Sequence, residues 1–253
     1  MTTIVMVHGA FCAGWAFERF RTAFEARGMT VLAPDLRGHG ESEPSERLIG
    51  VSMSDYAADI ARLCDEQPEP PILLGHSMGG LAAQLAARRA RIEALVLLAP
   101  SPPWGVAGSS IEEAVTAFGV QVMGPLSSGA VEPDRGLMRR YSLDKTPEAE
   151  REAIVARLRP ESARALREAL NWWMDPFMTT SVGPGRLPVP ALAIAGALDL
   201  VHPAATVRQV AERVGAAYEV MPGMSHWLCG EPGWEDVAAR VLQWLSEEAR
   251  AAA

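Results

Sequence analysis

"LLGHSMGGLAA", residues 73–83, sets a serine between glycines at the point where an apolar run gives way to an alanine-rich helical pattern. Gly75-His76-Ser77-Met78-Gly79 fits G-x-S-x-G with a strand before it and a helix after it, the context that the motif requires. Small glycines let such a turn close sharply, and the strained turn pushes the serine hydroxyl out above the sheet. The Met78 amide then opens a helix, where unpaired N–H groups and the helix dipole favour a negative oxygen. A glycine-rich turn whose serine merely caps the helix would use the same five residues. The rest of the chain decides between the two.

Around this stretch, short apolar runs alternate with segments of helical period, the pattern of β-α units around a parallel sheet. The runs are "IVMVH" (4–8), "TVLAPD" (30–35), "PILLGH" (71–76), "ALVLLA" (94–99), "PALAIAG" (190–196) and "AYEVMPG" (217–223). Most are apolar throughout, as strands covered on both faces must be. Helical patterns are expected at about 13–27, 53–66, 78–90, 203–214 and 234–249, with Gly28 as a C-terminal cap and Pro203 in a first turn. Residues 101–188 break the rhythm. They carry no convincing strand, and "SIEEAVTAFGVQVM", "PEAEREAIVARL" and "PESARALREALNWWM" have helical period, with Ile111, Val115, Phe118 and Val122 on one face. The expectation is an α/β core from 1–100 and 189–253, about six mainly parallel strands flanked by helices, with a helical cap inserted at 101–188.

A serine hydroxyl is a weak nucleophile and needs a base in reach and a carboxylate to orient that base. Of five histidines, His76 is expected to point away across its strand, His8 to end the first strand, and His39 to bond within "DLRGHGES". His202, just before Pro203, reads as a helix-start residue. His226, in the loop "MPGMSHW" after the last strand, and Asp199, after "LAIAGALD", both emerge at the strand ends that carry Ser77. The chain order Ser77, Asp199, His226 is the nucleophile-acid-base order of this architecture. A second oxyanion donor beside Met78 is expected from the Ala10 amide in "VHGAF", where Gly9 admits a close backbone approach.

Composition narrows the class. The 253 residues carry a formal net charge of −8, and Lys145 is the sole lysine, so no basic footprint for nucleic acid exists and neutral substrates are favoured. The N-terminal apolar run is too short for a signal peptide or a membrane span, which points to a cytoplasmic protein without membrane contact. Cys12, Cys64 and Cys229 lack CxxC spacing, so neither a disulfide framework nor a metal site is indicated. No sequence feature specifies an oligomeric state.

Five blocks, "VHGAFCAGW", "VLAPDLRGHGES", "LLGHSMGGLAA", "AGALDLVHP" and "GMSHWLCGEP", together resemble the α/β-hydrolase superfamily, and the resemblance covers nearly all of the chain except the cap. Within it, "HGAFCAGW" is similar to small bacterial carboxylesterases and plant-type methylesterases. The resemblance implies the α/β-hydrolase fold, a catalytic Ser77, Asp199 and His226, oxyanion amides from Ala10 and Met78, and no cofactor. Departures from relatives sharpen it. Haloalkane dehalogenases and epoxide hydrolases carry an aspartate where Ser77 stands, and plant-type hydroxynitrile lyases carry a lysine where Trp227 follows the histidine. Cofactor-free perhydrolases share the serine-methionine pair, so peracid formation is open as a side activity.

The expected reaction is hydrolysis of a small neutral carboxylic ester through an acyl-enzyme. A lactonase or C–C bond hydrolase would use the same triad, and a ligand receptor could use the same scaffold with little turnover. Phe11, Trp104, Phe118, Trp172, Trp173 and Phe177 are candidates for an apolar pocket, with "NWWMDPFM" as its wall; Met123, Met138, Tyr141 and Met178 add aromatic and thioether surface.

Overall fold

Strand order explains where a site can form. The computed structural model describes residues 2–40, 44–108, 129–183 and 185–251. Six strands, β1 (Thr3–Val7), β2 (Thr30–Leu32), β3 (Ile72–His76), β4 (Ala94–Leu98), β7 (Ala191–Gly196) and β8 (Ala217–Met221), lie in the order β2-β1-β3-β4-β7-β8. Every pairing in this sheet is parallel. The chain leaves β1 toward β2, then returns to the other side of β1 and runs outward from β3. The loops after β1 and β3 therefore diverge, and such a reversal leaves a crevice at the carboxyl ends of the strands.

The central strands are buried along their whole length because helices cover both faces. On the core, α1 (Glu18–Glu25) packs on α7 (Trp234–Ala251), α2 (Met53–Asp65) packs on α3 (Met78–Ala86), and α6 (Ala204–Val214) lies against β7 and β8. The expected helix at 13–27 divides into a 3-10 turn, Gly14–Phe17, and α1. Phe17 meets Phe20 edge to face, Phe20 stacks on Phe24, and all three are fully buried there. Ser52 opens α2 with a capping box, its hydroxyl accepting from Asp55 N–H while the Asp55 carboxylate accepts from Ser52 N–H.

Between β4 and β7 the chain forms the cap, with α4 (Glu148–Arg157) and α5 (Ala163–Leu170). The expectation of no strand in this segment is corrected: β5 (Ala130–Val131) and β6 (Glu161–Ser162) pair as a two-residue antiparallel ribbon. Two residues are too few to show an alternation, and the partners are about 30 positions apart, so periodicity could not reveal them. The sequence "SIEEAVTAFGVQVM", with Phe118 and Met123, lies outside the described residues.

Buried polar contacts dock the cap on the core. Glu161, fully buried, accepts from Tyr56 Oη at 2.6 Å and faces His39 Nε2 at 2.8 Å. Burial alone would raise the Glu161 pKa, but His39 and these hydrogen bonds outweigh it and hold the carboxyl below its usual range. His39, expected to bond within its own turn, does face Arg37 O but spends its second nitrogen on the cap. Arg159 N–H donates to Phe11 O at 2.9 Å, and Met53 N–H donates to Glu168 Oε2 at 2.8 Å.

Candidate active site

Ser77 is the residue between β3 and α3, with φ 53° and ψ −123°. A side chain at positive φ is strained, and the strain persists because its surroundings fix it. Ser77 N–H donates to Leu98 O on β4, and Ser77 O accepts from Gly80 N–H and Ser101 N–H. Gly79 is the close-approach residue of this turn: a Cβ there would run into the backbone carbonyls of Val7 and His8 at the end of β1. Packing against β1 in this way brings the next loop to the serine, and a Cβ on Gly9 would sit 3.1 Å from that of Ser77.

Three side chains from three strand ends form one hydrogen-bonded chain. His226 Nε2 lies 3.1 Å from Ser77 Oγ, and His226 Nδ1 lies 2.9 Å from Asp199 Oδ2. The other carboxylate oxygen, Asp199 Oδ1, accepts from Val201 N–H at 2.8 Å and His202 N–H at 2.9 Å. Burial by itself would raise the Asp199 pKa; the facing His226 and the hydrogen bonds outweigh it and hold the carboxyl below its usual range. An ionised Asp199 requires the proton on Nδ1, which leaves Nε2 as an acceptor toward Ser77. The arrangement can take a proton from a serine attacking a carbonyl carbon.

The backbone around Ser77 offers donors. Met78 is the first residue of α3, so its N–H has no carbonyl one turn back in the helix. Ala10 follows Gly9 in the loop after β1, and Phe11 beyond it has φ 64°, with its carbonyl held by Arg159 of the cap.

Two residues outside the expected set hold His226 and the residue before it. His76, expected to point away, instead packs its ring 5.0 Å from that of His226, and its Nε2 faces His226 O at 2.9 Å. Burial first and His226 second push its pKa down to about 3, which favours the neutral ring. With a carbonyl opposite, the donor is Nε2–H. Glu231 Oε1 accepts from Ser225 N–H, one residue before the histidine. The signal for Glu231 was a lone acid in the apolar stretch "HWLCGEPGW".

Burial raises the Glu231 pKa to about 7. The folded state therefore holds a proton that the unfolded chain releases near the ordinary value of 4.5, and stability must fall as pH rises between about 4.5 and 7. Glu231→Gln keeps an acceptor for Ser225 but has nothing to ionise. Thermal melts should show the wild type losing stability relative to this variant across that window, with a constant gap above it. Parallel curves would refute the buried, protonated carboxyl.

A cavity of about 100 Å³ opens beside Ser77 and His226. Its wall includes Phe11, Met138, Tyr141, Leu166, Leu170 and Trp227. Phe11 thus lies where the sequence suggested, but Trp104, Trp172, Trp173 and Phe177 are not in this wall. Trp104 and Trp172 pack edge to face on each other at 5.4 Å, and Trp104 Nε1–H donates to Asp175 O. Trp173 and Phe177 are 64% and 86% exposed, and Met178 is also exposed. The reason is that "NWWMDPFM" follows α5 as a 3-10 turn and loop, while α5 itself turns Leu166, Ala169 and Leu170 to the cavity. Phe118 lies outside the described residues.

Among the described residues, no group of three or more His, Cys, Asp or Glu is arranged to hold a metal ion, and no helix is long and apolar enough to cross a membrane. Cys12, Cys64 and Cys229 are buried free thiols.

The model of the Alpha/beta hydrolase family matches residues 4–240. Among curated proteins, the chain is 26% identical to a monoacylglycerol lipase of Mycolicibacterium smegmatis, across 96% of this chain and 87% of the lipase. It is 36% identical over 80 residues to a pyrethroid hydrolase of Sphingobium wenxiniae, 32% of this chain and only 28% of that relative's length. Among solved structures, a pyrethroid hydrolase from Sphingobium faniae superposes with a TM-score of 0.73 at 25% identity, over 98% of this chain and 99% of that one.

Proposed function

The chain belongs to the alpha/beta hydrolase family, and from that premise we propose that it hydrolyses neutral carboxylic esters through an acyl-enzyme on Ser77. The observation that carries this reading is the unbroken chain Asp199–His226–Ser77 opening on an apolar cavity. Ser77 Oγ attacks the ester carbonyl carbon while His226 Nε2 takes its proton, and the carbonyl oxygen becomes an oxyanion. The Ala10 and Met78 amides stabilise that oxygen, each donor contributing about 3 kcal/mol to the lowered barrier.

The protonated His226, stabilised by Asp199, then gives its proton to the departing alcohol oxygen. Water enters, the same nitrogen takes a proton from it, and attack on the acyl-enzyme releases the acid and restores Ser77. The relatives named a lipase and a hydrolase support ester chemistry. A net charge of −8 supports a neutral substrate.

The largely apolar wall of the cavity supports an apolar acyl or alcohol group beside Ser77. Steady-state hydrolysis of p-nitrophenyl esters from acetate to palmitate should need Ser77 and peak at short or medium acyl chains, with kcat/KM falling about tenfold or more toward palmitate. Absence of turnover at every length, together with no labelling of Ser77 by a fluorophosphonate, would sink the ester reading.

A further inference from the structure

The wall of the cavity beside Ser77 is largely apolar, and among its polar residues one deeply buried pair is not used by the proposed reaction. Ser101 Oγ and His202 Nε2 face each other at 2.9 Å, and both residues border the cavity. They are 1% and 2% exposed, so the pair is already out of water. Both are fixed relative to the reacting groups. Ser101 N–H donates to the carbonyl of Ser77 at 2.9 Å. His202 N–H donates to Asp199 Oδ1 at 2.9 Å, and its ring lies 5.3 Å from the ring of His226. The two residues come from the loops after β4 and β7, on the opposite side of β3 from the Gly9–Ala10 loop.

We propose that Ser101 and His202 form a polar subsite for a hydroxyl group of the substrate, placed about three bonds from the scissile ester linkage. This rests on the ester reading above and specifies its substrate. A serine hydroxyl has one donor and two acceptor positions, and the imidazole takes only one of them. If Ser101 donates to His202, its lone pairs accept from a ligand. If His202 donates to Ser101, the serine proton is available instead. A ligand hydroxyl both donates and accepts and so pairs with either arrangement, whereas a carbonyl or an ether oxygen pairs with one.

The spacing sets the reach. His226 Nε2 must contact the leaving oxygen, and the His202 ring is one ring contact away from that imidazole. A hydrogen bond of about 2.8 Å spans part of this gap, and a short carbon bridge spans the remainder. Because the pair is already mutually bonded, a plain alkyl group in this position leaves only one hydrogen-bonding position unused, so discrimination of about tenfold is expected.

The test measures kcat/KM by pH-stat for two isosteric pairs: 2-hydroxyethyl butyrate against propyl butyrate, and ethyl 3-hydroxybutyrate against ethyl 3-methylbutyrate. At least one hydroxylated ester should be preferred about tenfold, and the ratio should fall to near one in Ser101→Ala. The pair that responds tells whether the hydroxyl belongs to the alcohol or to the acid. Ratios near one in an active wild type overturn the subsite and leave the ester reading standing, as does a preference that Ser101→Ala does not change. Silence on all four esters overturns the ester reading and the subsite with it. If Ser101→Ala does not fold, Ser101→Cys takes its place, because its near-isosteric thiol hydrogen-bonds only weakly and the ratio should again fall toward one.

Discussion

Ser77→Gly is expected to lose ester hydrolysis by a factor on the order of 10⁵ or more and at the same time to make the protein more stable. Both effects come from the same backbone position. The lost hydroxyl is the one 3.1 Å from His226 Nε2, and without it no acyl-enzyme can form. The gain arises because Ser77 holds φ 53° and ψ −123°, a conformation that costs a residue with a Cβ about 1–3 kcal/mol. Glycine adopts it freely, although its greater freedom in the unfolded chain takes back part of the gain. A net increase of about 1 kcal/mol should raise Tm by about 2–4 °C. Ser77→Ala is the control, because it removes the hydroxyl and keeps the strain. It should match the glycine variant in inactivity without matching its Tm. Equal melting temperatures for the two variants would mean that the turn is not strained as described, and turnover in either would remove Ser77 from the mechanism.

Asp199→Asn is the second large effect, with kcat expected to drop on the order of 10⁴-fold while the fold persists. The reason lies in what the other oxygen does. Asp199 Oδ1 accepts from two backbone N–H groups, Val201 and His202, so an asparagine must turn its carbonyl oxygen to them. Its amide NH₂ is then forced toward His226 Nδ1, which must become an acceptor. The imidazole proton moves to Nε2, where it faces the serine and cannot be replaced by the serine's own. A loss of less than about tenfold would show that the His226 tautomer is set by something other than Asp199. The stability of the variant, followed by thermal melting, should change little, because both backbone donors keep their acceptor.

How much of this could be read without the fold depends on the residue. Ser77 stands immediately after an apolar run, and Asp199 and His226 stand in the loops that follow two others; in a parallel sheet all such positions come to one edge, so their meeting follows from strand direction and chain order. Gly9 and Gly79 belong to the same class, since a turn too tight for a Cβ is written in the residue itself.

The aromatic residues of the cap were not. Trp172, Trp173 and Phe177 have the composition of a pocket wall, but which face of the cap meets the crevice depends on how α5 docks, and α5 docks through Glu168 on Met53 N–H and Ser162 on Val51 O. Those contacts join positions more than 100 residues apart and leave no periodic trace.

The sequence by itself determined the sheet, the order of its strands' chemistry and the three side chains at its edge, because local hydrophobic period and turn chemistry act within a few residues. Only the tertiary structure decided the shape of the cavity, the pairing of Ser101 with His202, and the hold of His76 on His226 and of Glu231 on Ser225. Each of these depends on hydrogen-bond geometry between loops, and a buried polar group finds its partner by distance in space, which sequence separation does not encode.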